Sequence, residues 1–194
     1  MQKELIIDDW HLPISYIPSF RNVLPYHFYS SKKYDLGILI YNILEVRMNT
    51  SAGIVAIFSR IKGIEVWHDA SFSCFVSNSN SNIVQWFKYS PVFVIKVLFL
   101  DDAINKKLVV PLVFIDSSTK KFATVKSRGG LILEVEEQDN NHILIKENLW
   151  KNERTRELTV MNEKVIPLDS LNWKAFPLTN DVLKESLEKQ TYLL

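Results

Sequence analysis

Two apolar runs, residues 92–100 and 108–115, dominate the hydrophobic pattern of the chain, and turn-forming residues bound each of them. Runs this short and this rich in Val, Ile and Phe are typical of buried β-strands. Side chains alternate between the two faces of a strand, and both faces of 92–100 are apolar except at Lys96. The pattern therefore predicts a central strand that is covered on both sides.

Lys96 has two interpretations within this strand. Its stem can lie along apolar surface while the ammonium reaches water, or the side chain can be buried and paired, with an altered pKa. We favour the first interpretation because an unpaired buried ammonium costs several kcal/mol.

The polar segments between the apolar runs predict an antiparallel meander. Residues 101–107 form one polar connection, and 116–120 form a tight one in which Asp116 caps its own turn. Residues 122–125 make the next strand, and connections this short join antiparallel neighbours. Pro111 lacks a backbone donor, so it predicts an edge position or a bulge in the second run.

Alternating segments elsewhere predict further strands. These strands are 35–48, 54–61, 64–67, 72–76, 131–135, 143–146, 158–161 and 165–168, with turns at 62–63, 68–71 and 162–163. The spacing of these segments suits a meander, a sandwich or a partial barrel.

The two ends of the chain differ from this pattern. Prolines interrupt the aromatic-rich residues 1–34 and predict an extended arm packed over the sheet, with one helical turn near 19–24. The aromatic side chains of the arm could alternatively form a binding surface. Residues 179–190 predict a helix, because Thr179 can cap its N-terminus and opposite charges recur four residues apart.

Together these elements predict a mainly β (β-rich α+β) fold in a single domain covering 1–194. The arm covers 1–34, an antiparallel sheet covers 35–176, and a C-terminal helix at 179–190 packs on the sheet. A chain of 194 residues can bury a substantial core.

Composition narrows the possible partners and compartments. The formal net charge is +1, which gives no global attraction to nucleic acid or to an anionic membrane. The chain has one cysteine, so no internal disulfide can form, and its N-terminus lacks the apolar core of a signal peptide. These features predict a cytoplasmic protein that neither binds nucleic acid nor spans a membrane; the oligomeric state stays open.

The sequence carries none of the common catalytic or cofactor motifs. It has no P-loop, no dinucleotide fingerprint, no His-Glu-x-x-His and no Gly-x-Ser-x-Gly. Its four histidines are scattered, without a second ligand at metal spacing. The predictions are therefore no catalytic residue, no cofactor and no metal.

Cys74 is the best candidate for a nucleophile, because His68 lies six residues earlier. If 64–67 and 72–76 form a hairpin, the two side chains can approach each other. Cys74 also lies in an alternating strand, and free cysteine is among the most buried residue types. We favour a core cysteine, and keep an enzyme built on this pair as an alternative.

Carboxylates cluster in and after the strand 131–135, at Glu134, Glu136, Glu137 and Asp139. Residues 131–163 contain eight acidic and four basic residues, a local net charge of −4, whereas 101–130 carry a local net charge of +3. The cluster fits a solvated edge that resists pairing with another sheet. It also fits an acidic patch that attracts a basic partner, and a carboxylate pair for glycoside hydrolysis is a third, less favoured interpretation.

Residues 84–96, in which aromatic side chains precede Ser-Pro and a hydrophobic strand follows, resemble the opening of a propeller-type blade. Residues 112–116 and 121–123 resemble its closing strand pair, although the chain is too short for a propeller. Single sheets of this kind resemble small cytoplasmic immunity proteins that accompany bacterial toxins of contact-dependent and secretion-delivered systems.

The resemblance implies a non-enzymatic protein that binds and neutralises a cognate protein toxin. The partner-binding residues we predict are the four carboxylates Glu134, Glu136, Glu137 and Asp139. The alternative is a structural or assembly subunit of a phage or secretion apparatus, in which self-association replaces a foreign partner.

Overall fold

The computed structural model describes most of the chain and shows a mainly β, antiparallel protein with one C-terminal helix. The predicted fold class is therefore confirmed. The chain forms two compact units: Met1–Ser81 with Phe176–Leu183, and Asn82–Ala175 with Lys184–Leu194. The residues described are 4–13, 26–47, 50–61, 65–77, 83–96, 99–102, 107–127, 132–152, 155 and 157–188.

The first unit contains a hairpin and a four-stranded sheet, in which every pair is antiparallel. The hairpin is β1–β2, and the sheet has the order β3-β4-β5-β6. The bounds are β1 Glu4–Ile7, β2 Trp10–Pro13, β3 Tyr26–Ser31, β4 Leu36–Arg47, β5 Thr50–Ile61 and β6 Glu65–Ser77.

The predicted N-terminal arm is instead regular β structure over its described part. Residues 4–13 make the hairpin, residues 26–31 add β3 to the sheet, and the helical turn predicted near 19–24 lies outside the described residues. Trp10 is buried with Leu39, Tyr41 and Phe58 of the sheet. The aromatic side chain of Trp10 therefore packs in a core, and proline spacing alone did not reveal the hairpin.

β6 is one continuous strand, so the predicted turn at 68–71 is wrong. Ala70, Phe72 and Cys74 are buried at alternate positions, which continues the period of two through the polar segment. The strand accommodates Asp69 in a bulge, since Ile57 pairs with Ala70 and Phe58 pairs with His68. Four polar or small residues resemble a turn, but the apolar alternation decides the structure.

The second unit contains two antiparallel sheets. One has the order β15-β11-β10-β8-β7, with β9 also paired to β10, and the other has the order β12-β13-β14. The bounds are β7 Val84–Trp86, β8 Val92–Lys96, β9 Phe99–Asp102, β10 Lys107–Asp116, β11 Lys121–Ser127, β12 Ile132–Glu137, β13 His142–Asn152, β14 Glu157–Pro167 and β15 Lys174–Ala175, with a 3-10 turn at Leu168–Ser170.

The central position of the most apolar stretch is confirmed. The first four residues of β8 are buried on both faces, and β8 lies between β7 and β10. The predicted run 92–100 divides into β8 and β9, with residues 97–98 outside the described part. The two sheets pack through side chains that include Val94, Phe114, Leu133, Val135 and Ile145.

The prediction of an edge position or a bulge at Pro111 concerns the middle of β10. Pro111 pairs with Lys126 of β11, and the register of that pair is continuous from Val110 to Asp116. On the other side of β10, the pairing with β8 begins at Leu112 and the pairing with β9 ends at Val109. Among the described residues, Pro111 therefore has a strand partner on the β11 side alone, which suits a residue without a backbone donor. The turn predicted at 162–163 is wrong, because both residues pair with β13 inside β14.

The helix α1, Asn180–Glu188, confirms the C-terminal prediction over its described length. The Val182 N–H donates to the Thr179 hydroxyl oxygen at 3.4 Å, as expected of an N-cap. Leu178 and Leu183 are both fully buried, at the spacing of a hydrophobic staple. In the part of the chain that the structure describes, no helix has the length and apolar character needed to span a membrane.

Gly37 occupies a position in β4 where the backbone approaches two aromatic rings. A Cβ there would lie 2.7 Å from Phe28 Cζ and 3.2 Å from Trp10 Cζ3. We expect Gly37→Val to lower the free energy of unfolding by about 1–3 kcal/mol, because the rings must shift to admit the side chain. Urea unfolding followed by tryptophan fluorescence measures the change.

Ser30 is the matched control, because it pairs with Gly37 across the β3–β4 ladder and is exposed. Ser30→Ala should alter the free energy of unfolding by less than about 0.5 kcal/mol. Equal destabilisation by the two variants would contradict the steric explanation.

Candidate functional site

Strand alternation separates the four predicted partner-binding carboxylates into different environments. Glu134 and Glu136 lie at alternate positions of β12, on the face opposite to the buried Leu133 and Val135. Glu137 lies on the inner face with those buried residues, and Asp139 follows in the turn to β13. The four side chains therefore do not form a single cluster.

The outer face of the β12–β13–β14 sheet gathers acidic side chains around one lysine. Lys146 of β13 pairs in register with Glu134 of β12 and with Glu163 of β14. Its Nζ donates to Glu136 Oε1 at 2.7 Å. We call Glu134, Glu136, Glu163 and Lys146 the acidic face; its formal net charge is −2.

The charges of the acidic face influence Lys146 directly. The hydrogen bond that Lys146 donates to Glu136 is the largest cause that raises the pKa of Lys146, and the charges of Glu136, Glu163 and Glu134 add to it. The one ammonium therefore neutralises only part of the negative charge of the three carboxylates. Glu163 is not among the residues predicted from the sequence, because its place beside Lys146 depends on the register between β13 and β14.

Glu137 binds the backbone of its own protein. Its carboxylate accepts hydrogen bonds from the N–H groups of Lys88, Tyr89 (3.0 Å) and Ser90 (2.9 Å), and from the Ser90 hydroxyl at 3.0 Å. Successive N–H groups that converge on one anion form a nest, and hydrogen bonds to a carboxylate are strong. Glu137 therefore fixes the loop between β7 and β8 against the end of β12.

The loop that Glu137 holds presents an aromatic side chain to solvent. Tyr89 is 56% exposed, and Lys88 Nζ lies 4.9 Å from the centroid of its ring. A backbone held at three successive N–H groups loses little further freedom on binding. Tyr89 therefore has the properties of a preorganised anchor.

Asp139 closes the turn between β12 and β13. Its Oδ1 accepts the N–H groups of Asn141 and His142, each at 2.8 Å, and His142 Nδ1 lies 2.9 Å from Oδ2. The Asn141 N–H is the largest cause that lowers the pKa of Asp139, and His142 contributes further. The Asp139 carboxylate therefore stabilises the turn, as Asp and Asn side chains commonly do.

Lys96 is half-buried, and its ammonium donates to a neutral amide rather than to a carboxylate. Its Nζ donates to Gln85 Oε1 at 2.9 Å, and Gln85 Nε2 donates to the Val135 carbonyl at 2.9 Å. Burial lowers the pKa of Lys96, and the charge of Glu134 opposes this shift. The arrangement connects β8, β7 and β12 through side-chain hydrogen bonds. A protein partner for the ammonium and a pKa altered by burial are features of the second of the two interpretations.

The pairing of Cys74 with His68 does not occur. Both residues lie on β6, six positions apart, which corresponds to about 20 Å at the usual strand rise. Cys74 is 5% exposed, and burial raises the pKa of its thiol to about 12. The thiol is therefore a core group.

Two of the histidines, His11 and His142, have local partners. His11 Nδ1 lies 3.2 Å from Glu4 Oε2, and His142 contacts Asp139 as stated above. Among the described residues, no group of three or more His, Cys, Asp or Glu side chains is arranged to hold a metal ion.

Comparison of the chain with protein-family models, with curated proteins and with solved structures finds no match. Evidence for its function therefore comes from its own side chains. They define a β-rich protein with an acidic sheet face and an exposed tyrosine on a loop fixed by a carboxylate.

The buried Cys74 thiol should react slowly with Ellman's reagent at mildly alkaline pH. Its raised pKa keeps the native thiol protonated, and the sheet blocks access to sulfur. In denaturant the same thiol should react rapidly, which provides the control on the same molecule. Rapid reaction of the folded protein would contradict the assignment of Cys74 to the core.

Glu137→Gln should destabilise the second unit by about 1–3 kcal/mol, because the N–H₂ group of the amide would face the backbone N–H groups that now bind the carboxylate. Urea unfolding followed by tryptophan fluorescence measures this change. The neighbouring variant Glu136→Gln removes one exposed ion pair and should cost less than about 1 kcal/mol. A larger effect at Glu136 than at Glu137 would contradict the structural role of the nest.

Proposed function

We propose that this chain is a non-enzymatic protein-binding module, and that it acts as an immunity protein that binds and neutralises a cognate bacterial toxin domain. The observation that carries the proposal is the acidic face, where Lys146 balances only part of the charge of Glu134, Glu136 and Glu163. The resemblance of the sheet formed by residues 84–96, 112–116 and 121–123 to small immunity proteins supplies the more specific role.

The chemistry of the acidic face favours a basic protein surface as its partner. A surplus of carboxylates raises the association rate of a positively charged partner over distances of about one Debye length, roughly 8 Å at physiological salt. Lys146 holds Glu136 in a defined position, so the charge pattern is ordered before binding. Such ordering lowers the entropy that association costs.

Tyr89 supplies the apolar part of the proposed interface. Tyrosine is enriched among the residues that contribute most to binding energy, because it buries a large area and adds a hydroxyl. The loop that carries Tyr89 is bound by Glu137, the residue that follows Glu136 at the end of β12. Neutralisation then follows from occlusion of the toxin surface, and no reaction is required of the module.

The proposed place of action is the bacterial cytoplasm. A free, unpaired cysteine suits a reducing compartment. A toxin delivered into a cell would meet the module there.

The partner to test is the protein encoded by the adjacent gene. We expect it to bind the wild-type chain, and we expect the double variant Glu134→Gln, Glu136→Gln to slow association by about three- to tenfold at low salt, since charges at an interface act mainly on the association rate. Surface plasmon resonance at two salt concentrations measures this effect.

Asp169→Asn provides the matched control, because Asp169 is an exposed acid in the 3-10 turn of the same unit. It should leave the association rate unchanged within about twofold. Absence of a complex, or equal slowing by the control, would count against the proposed function.

A further inference from the structure

β14 is an edge strand whose side chains are open to solvent over most of its length. Every residue from 159 to 165 is exposed, on both faces of the strand. The register with β13 is regular from Asn162 to Pro167 and shifts at Met161. The segment 162–166 therefore offers a straight row of backbone groups of the kind that accepts an added strand.

The other strand edges in the described parts of the chain are shorter or engaged by side chains. β15 has two residues. The Val135 carbonyl of β12 accepts a hydrogen bond from Gln85, and the Ser73 N–H of β6 donates to Asn180 Oδ1. Among the described residues, β14 has a strand neighbour only on the β13 side. Neither β3 nor β6 has a run of exposed positions among its described side chains, whereas every residue of β14 from 159 to 165 is exposed, and this exposure distinguishes the β14 edge.

Charge on the outer face beside this edge indicates what could pair with it. Glu163 of β14 belongs to the acidic face, and Val165, two residues further, is 55% exposed on the same face. Residues two apart on an added strand also share one face. A basic side chain opposite Glu163 and an apolar one opposite Val165 would complement this pattern.

The same charges disfavour a second copy of this chain at the edge. In an antiparallel β14–β14 pair related by a two-fold axis perpendicular to the sheet, both acidic faces would lie on the same side of the joined sheet. Like charges on neighbouring strands are destabilising. A basic partner gains attraction at the same position.

We propose that the 162–166 edge of β14 binds an extended basic segment of a partner protein as a fourth strand of the β12–β13–β14 sheet. The segment carries Lys or Arg opposite Glu163 and an apolar residue two positions along, opposite Val165. Backbone hydrogen bonds to alternate N–H and C=O groups of β14 hold it, and the outer-face side chains select it. This proposal rests on the proposed function and adds the mode of contact.

The test uses the full chain, labelled with ¹⁵N, and two acetylated, amidated heptapeptides. The basic peptide has the sequence Thr-Lys-Thr-Val-Thr-Lys-Thr. In the acidic peptide, Glu replaces both Lys residues. We expect the basic peptide, at millimolar concentration, to shift the amide signals of residues 162–166 and to slow hydrogen exchange at alternate positions. The acidic peptide should bind about tenfold more weakly, since its charges repel the acidic face.

Two variants identify the source of this selectivity. Glu163→Gln should reduce the preference for the basic peptide by about threefold, whereas Asp169→Asn should leave it unchanged. Absence of shifts at 162–166, shifts confined to other strands, or equal binding of both peptides would overturn the proposal. Concentration-dependent shifts at 162–166 without peptide, together with a dimer in light scattering, would assign the edge to a second copy and also overturn it.

The peptide test and the partner test fail independently. Binding of the adjacent gene product without a response to the basic peptide would exclude the edge and leave the proposed function standing. A response to the peptide without binding of that gene product would exclude the named partner and retain the edge as a binding site.

Discussion

The hydrogen bonds that Glu137 accepts are the interaction on which the proposed binding surface depends. They join the end of β12 to the loop between β7 and β8, two segments that belong to different sheets of the same unit. A carboxylate taken from water is costly unless donors replace its hydration, and successive backbone N–H groups do so here. Tyr89 and the acidic face are thus held together by one side chain.

Adjacent residues of β12 have opposite roles because a strand directs successive side chains to opposite faces. Glu136 points outward and contacts Lys146, whereas Glu137 points inward and binds backbone. Similar chemistry in neighbouring positions therefore contributes to a surface in one case and to internal structure in the other. Acidic residues that are close in sequence form one site only if their side chains lie on the same face. Two of these four, Glu137 and Asp139, instead stabilise the fold through hydrogen bonds to backbone N–H groups.

Much of the fold could be predicted from local sequence patterns. The predictions failed where the structure depends on pairing between strands. The apolar faces of β8 and the cap of α1 depend on residues near each other in sequence, and both were identified correctly. The continuity of β6 and β14 depends on pairing with neighbouring strands, which converts apparent turn residues into paired or bulged positions. Glu163 was missed for the same reason, since no local signal places it beside Lys146. The internal roles of Glu137 and Asp139 likewise require knowledge of which N–H groups face them.

The acidic face and the open edge of β14 would act over different distances. Charge attraction extends over several ångströms and is weakened by salt, so it governs how often a basic segment arrives. Backbone hydrogen bonds act only at contact and are largely independent of sequence, so they govern how long the segment stays. Side-chain pairs at Glu163 and Val165 connect these two contributions, because they reward only a segment whose basic and apolar residues fall on the same face. An edge without such charges would accept any unpaired strand, including its own copy. The placement of Glu163 beside the edge would therefore make the proposed binding surface selective while its backbone groups stay open.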